Sequence, residues 1–189
     1  MRGLVLVVLA LAACGPLSPR QQPVSLPASA LPEGAGDPAR GAIFSASYVF
    51  GQPAAIAGDP AAGAEAIARL EWLAVELDTD QRWIGMNPLV VPLMAQGRAE
   101  ARYAFAIPPA APPQRVMDVF YGSAVALRAG DQAAAVALLS PLVGGEKVAP
   151  LLDQLAAFPY LPRAAFALAQ ARMGMAQMDR DRGGRRLIF

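Results

Sequence analysis

The sequence predicts an all-α protein, and three observations carry that prediction. Apolar residues make up 55% of the chain, and many of them are Ala, the residue of highest intrinsic helix propensity. The steps Asp37-Pro38, Asp59-Pro60 and Asn87-Pro88 each set a side-chain acceptor before a Pro. That pairing opens a helix, because Pro has no N–H to leave unpaired in the first turn. Finally, β-branched and aromatic residues do not alternate over useful lengths, so the period-two mark of strands is missing.

The chain opens with Met1-Arg2-Gly3 and an apolar run from Leu4 to Ala13 that ends at Cys14. A run of about ten residues is half of what a spanning helix needs. Its positive start, apolar middle and small-residue end are those of a secretory signal. The single Cys of the chain stands at that end, in Leu11-Ala12-Ala13-Cys14. This resembles the lipobox of bacterial lipoproteins. The resemblance implies that the Cys14 thiolate takes a diacylglyceryl group, that residues 1–13 are removed and that the new amine is acylated. Several acyl chains anchor a protein stably, whereas one binds only marginally. Gly15, in place of Asp, points by the same resemblance to the outer membrane, facing the periplasm.

Removal of Arg2 with the signal leaves fifteen of the sixteen Lys and Arg against fifteen Asp and Glu, so the mature chain is formally neutral. That balance argues against a nucleic-acid partner, which calls for a basic footprint, and against polybasic attraction to anionic lipid. With one Cys the chain forms no internal disulfide, and its core must hold the fold.

Residues 14–36 are Pro-rich and polar, with Pro16, Pro19, Pro23, Pro27 and Pro32, and show no helical or alternating period. They are predicted to form a disordered tether, about twenty residues at ~3 Å each, lifting a domain several tens of ångströms from the membrane. One domain follows over residues 37–179. Its helices are expected at roughly 38–56, 60–78, 88–106, 112–129, 132–143, 146–157 and 162–179, with Asp131 as a further cap. In the second, Ile67, Leu70, Ala74 and Leu77 share a face, and Glu65 and Arg69 pair at i,i+4 on another. Pro92 disturbs the third; the alternative to a start at 88 is a start nearer Pro92, with Asn87 to Val91 as a separate turn. In the fourth, Val116, Val119, Phe120, Ala124 and Leu127 form the core stripe, and Gly122-Ser123 is a site of close helix approach. In the seventh, Phe166, Ala169 and Met173 are the expected core face. The end, residues 180–189, mixes charges, turns basic and closes on Leu187-Ile188-Phe189; it is expected to be a flexible tail.

Two stretches look alike: Gly58-Asp59 followed by Ala64, Ile67 and Leu70, and Gly130-Asp131 followed by Ala135, Leu139 and Leu142. Their Gly-Asp steps lie 72 residues apart, close to two units of a repeat of about 34. The second stretch resembles a tetratricopeptide repeat over residues 116–143, with Gly ending one helix, Asp capping the next and Ala allowing close approach. The resemblance implies antiparallel helical hairpins in a short solenoid; a compact helical bundle is the alternative.

Chemistry is sparse. The chain has no His, which removes Ser-His-Asp and Cys-His catalysis and every His-based metal site. Asp78-Thr79-Asp80 sits at a helix end without further oxygen ligands at loop spacing and is expected to be a solvated exit, not a cation site. Glu71, Glu76 and Glu100 are expected on helix surfaces. The aromatics that could line a groove are Trp72, Trp83, Tyr103 and Phe105, with Trp72 the first choice for exposure. Arg98 and Arg102, one turn apart, form a candidate basic strip for a peptide carboxylate. The function expected is therefore that of a non-enzymatic envelope lipoprotein, free of cofactor and metal. It is held by Cys14 and binds a protein or peptide partner through Trp72, Trp83, Arg98 and Arg102. The alternative is a helical domain acting on peptidoglycan or holding a small molecule.

Overall fold

A computed structural model describes residues 21–27, 30 and 36–186. Cys14, the signal and Leu187 to Phe189 lie outside that range. All regular structure among the described residues is helical: α1 (Pro38–Gly51), α2 (Pro60–Thr79), α3 (Val90–Ala104), α4 (Pro113–Arg128), α5 (Gln132–Val143), α6 (Gly145–Ala156) and α7 (Pro162–Arg186), with 3₁₀ turns at Pro53–Ile56 and Gln81–Trp83.

The caps form as the sequence requires. Asp37 Oδ1 accepts from the Ala39 and Arg40 amides at 3.0 and 3.4 Å, Asp59 Oδ1 from Ala62 N at 2.9 Å, and Asp131 Oδ1 from Ala134 N at 2.9 Å. Each satisfies first-turn donors that have no partner inside the helix. Asn87 caps a turn instead, accepting from Leu89 N at 3.0 Å. The helix α3 begins at Val90, which places Pro92 in its first turn, where a missing N–H costs nothing.

The helix α2 is the centre of the molecule and packs against α1, α3, α4 and α6. Its buried residues run all round the helix from Ala61 to Leu77, as a helix enclosed by others must be. One neighbour, α6, approaches it at backbone distance: a Cβ on Gly63 would stand 2.6 Å from the Leu155 carbonyl oxygen. Between α4 and α5, Gly122 faces the Leu138 side chain. The α4–α5 pair is the hairpin expected from the Gly-Asp step, with Gly130 at φ +75° closing α4. The last helix, α7, returns to pack on both α1 and α3. Hairpin and bundle thus occur together.

The α7 face differs from the expected stripe. Phe166, Ala169 and Met173 are exposed, and the buried residues are Ala164, Ala167, Leu168, Ala171, Met175 and Met178. At the crossing point the helices nearly touch: a Cβ on Gly97 of α3 would lie 2.8 Å from Ala164 Cα, so only small residues fit there. Leu168, Met175 and Met178 continue the buried face on the same side as Ala164, and Phe166 and Met173 lie off it. α7 also runs past Asp179 to Arg186, and Arg40 of α1 pairs with Asp179. No single helix among the described residues is long and apolar enough to cross a membrane.

Candidate functional site

The helices α2 and α3 are locked by a buried ion pair. Glu71, 1% exposed, receives two hydrogen bonds from Arg102, 7% exposed: Nε to Oε1 at 2.6 Å and Nη2 to Oε2 at 2.7 Å. The fork geometry of guanidinium and carboxylate makes such a bidentate pair the best-satisfied arrangement for two desolvated charges. The remaining nitrogen, Arg102 Nη1, donates to the carbonyls of Pro109 and Ala111 at 2.8 and 2.9 Å. One side chain thus joins α2, α3 and the loop that leads to α4.

That loop starts from an irregular helix end. Ile107 N donates to Arg102 O at 2.8 Å and Ala106 N to Tyr103 O at 3.4 Å, the paired bonds of a Schellman C-cap. Ala106 occupies the left-handed position at φ +53°, where Gly is usual. Gln154 of α6 closes the cap by donating to Ala104 O at 3.0 Å.

Outside the lock lies an open groove of about 640 Å³, formed by α3, the following loop and Lys147 of α6. Ala95, Ala99, Ile107, Pro108 and Pro109 give it apolar walls, and Tyr103, 91% exposed, stands at its rim. Arg98 is half-buried in it, and its Nη1 donates to the neutral Gln21 Oε1 at 2.7 Å. Burial pushes the Arg98 guanidinium below its ordinary pKa, with Glu71 opposing and Arg102 adding to the shift. Among the described residues neither Arg98 nor Lys147 forms a salt bridge. The groove therefore combines apolar walls with cationic charge that lacks a carboxylate partner.

The expected site residues fall in three places. Arg98 lines the groove. Arg102 contributes to its wall, but its charge is spent on Glu71, so the basic strip expected from the one-turn spacing is not a strip. Both Trp residues are buried. Trp83 packs at the end of α2 with the Arg82 guanidinium 4.8 Å from its ring centroid and Glu76 Oε1 3.4 Å from Nε1. Arg82 in turn binds Asp37, Glu76 and Asp80, tying the start of α1 to the end of α2. Of the aromatics considered, Tyr103 is the exposed one, and Phe105 is fully buried. Glu71, expected on a surface, is in the core, and Glu100 accepts from Ala164 N at 2.9 Å, capping α7 from outside.

Trp72 is covered by the segment expected to be free tether. Residues 21–27 run without helical structure across α2, α3 and α4. Trp72 Nε1 donates to Val24 O at 3.2 Å. Gln114 grips Ser25 from both sides, accepting from its N at 2.9 Å and donating to its O at 3.0 Å. Gln21 bridges Arg98 and Asp78, and Val24 and Leu26 pack on the core. Further along, Ala30 O lies 3.2 Å from the Tyr121 hydroxyl, which has Glu65 Oε1 at 3.0 Å as its nearer acceptor. Burial and the Glu65 carboxylate push Tyr121 up to about 12. Burial works against ionised Glu65 as well, but Arg128, Arg69 and Tyr121 hold its carboxyl below the ordinary range.

Sequence reasoning missed both the Glu71–Arg102 lock and the docked segment. The first had a signal in Glu71 standing between the apolar Leu70 and Trp72; the second had a weak one in the isolated Val24 and Leu26. No group of three or more His, Cys, Asp or Glu among the described residues is placed to hold a metal. Compared with protein-family models, curated proteins and solved structures, the chain matches none.

Proposed function

We propose that this chain is a bacterial envelope lipoprotein, anchored through acylated Cys14 in the outer membrane, whose helical domain is a non-enzymatic scaffold for a protein partner. The partner segment it suits is an acidic peptide with apolar neighbours, laid in the groove beside Tyr103. The observation that supports this reading is the half-buried Arg98, whose hydrogen-bond partner is a neutral amide while Lys147 stands in the same groove. A partly desolvated cation gains more from a carboxylate than a solvated one does. The enzymatic or small-molecule alternative calls for a buried carboxylate free to act. Glu71 has both oxygens engaged by Arg102, which favours the scaffold.

A photo-crosslinking side chain at Ala99, used in the intact envelope, tests the reading. The expected result is one recurrent protein adduct that is lost when Arg98→Glu and Lys147→Glu are combined. The isolated peptide from that adduct should then bind the variant at least ~10-fold more weakly, equivalent to about 1.4 kcal/mol. Retention of murein fragments or small molecules alone would overturn the scaffold. Labelled palmitate should enter the wild-type chain and not Cys14→Ser.

A further inference from the structure

We infer that residues 21–27 are a strap that fixes the height and facing of the domain over its membrane, so that the groove serves juxtamembrane acidic segments of proteins in that same membrane. This rests on the anchoring at Cys14 proposed above. Three observations carry it. The strap is held at several points on three helices: Gln21 on Asp78 and Arg98, Val24 on Trp72, and Ser25 on the two ends of the Gln114 amide. Val24 and Leu26 add apolar contact with the core. The strap's outward end, Gln21, touches Arg98, which is itself part of the groove.

The consequence follows from chain length. Gln21 is seven residues from Cys14, and seven residues reach at most about 25 Å in any conformation. Without the strap the next described contact would be Ala30 at the Tyr121 hydroxyl, sixteen residues from Cys14. That length reaches up to about 55 Å, twice the reach from Gln21, and leaves the domain freer to turn. The strap therefore brings the Arg98 side of the domain to the membrane and keeps it there. A peptide entering the groove must come from within a few nanometres of the bilayer, which excludes the distal parts of large envelope proteins.

The full-length acylated protein in vesicles carrying an acceptor dye on the lipid headgroups tests this. With Cys14 acylated, an introduced Cys is the free thiol for a donor dye, placed in one sample by Tyr103→Cys at the groove and in another by Leu138→Cys on exposed α5. The expected energy transfer is at least twofold stronger from position 103 than from 138, and the contrast disappears in Val24→Asp/Leu26→Asp. Trp72→Phe/Gln114→Ala, which removes hydrogen bonds and keeps the apolar contacts, should reduce the contrast and raise the exchange rate of the Ser25 amide while helical content is unchanged. Equal transfer from both positions in the wild type, or a contrast that survives both variants, would overturn the strap. Protein that fails to float with vesicles would instead defeat the anchor, and the facing inference with it.

Discussion

Arg102 shows how much one buried charge can organise. Its guanidinium satisfies Glu71 with two nitrogens and the Pro109 and Ala111 carbonyls with the third. Removing one partner leaves the other charged in the core, which typically costs about 3–5 kcal/mol, whereas replacing both with apolar groups of similar size is often close to neutral. Glu71→Leu is therefore expected to lower the urea unfolding free energy by about 3–5 kcal/mol, and Glu71→Leu/Arg102→Met to recover most of it. Chemical denaturation of the set checks this. The recovered protein should still lose order in the loop over residues 105–112, because Met cannot donate to the two carbonyls. A double variant as unstable as the single one would show that the loop bonds, not the ion pair, carry the energy. The sequence held half of this arrangement. Arg98 and Arg102 were recognisable as a pair one turn apart, but which of them met a carboxylate depended on α2 and α3 lying side by side. No local pattern encodes that, and a Glu between apolar neighbours on a helix looks the same whether it faces water or an Arg.

At the scale of elements, the helices were legible because their ends are written in single residues. Asp37, Asp59 and Asp131 cap as their positions before Pro or after Gly require, and the expected boundaries lie within a few residues of those found, except at the ends of α1 and α7. Faces were less legible where packing is close. The stripe expected for α7 pointed outward because large residues stand on both sides of that helix, and the closest α3–α7 approach is made by Gly97 and Ala164, which do not register as a hydrophobic face. This gives a direct test. Gly97→Ala would place a methyl 2.8 Å from a backbone atom of α7, and a backbone atom cannot rotate away. Overpacking of that kind typically costs about 1–3 kcal/mol. Gly122→Ala meets only the end of the Leu138 side chain at 3.2 Å, which can shift, and the helix propensity gained by Ala offsets the contact. Thermal unfolding should therefore show a clear drop in Tm for Gly97→Ala and little change for Gly122→Ala. Equal effects would mean that α3 and α7 are not in backbone contact. The strap was hard to read for a different reason: apart from Gln21, Val24 and Leu26, its hold is made by Trp72 and Gln114 on its main chain, and a Pro-rich sequence carries no sign of being gripped in that way.

For the whole molecule, the decisive feature is how the chain closes. A solenoid is stabilised by contacts between neighbours, so removing a terminal repeat subtracts one interface and leaves the rest folded. Here α2 packs on α1, α3, α4 and α6, and the last helix returns to α1 and α3. The repeat-like Gly-Asp steps could reveal the α4–α5 hairpin, since that is a local relation. They could not reveal that α7 would lie against α1, more than one hundred residues earlier, where Arg40 meets Asp179 and Ser47 Oγ donates to the Leu168 carbonyl at 3.0 Å. Closure predicts cooperativity. A chain ending at Tyr160 loses α7 with its buried Leu168 and Met175, and uncovers the faces of α1 and α3 around Ser47 and Gly97 that it had helped to bury. Burying one aliphatic side chain of that size is worth about 1.5–3 kcal/mol, and a domain holds only about 5–15 kcal/mol in all. Truncation should therefore abolish the cooperative urea transition, with amide protection lost in α4 and α5 as well as in α1 and α3. If α4 and α5 kept native protection in the truncated chain, the hairpin would be an independent unit and the molecule would behave as an open array.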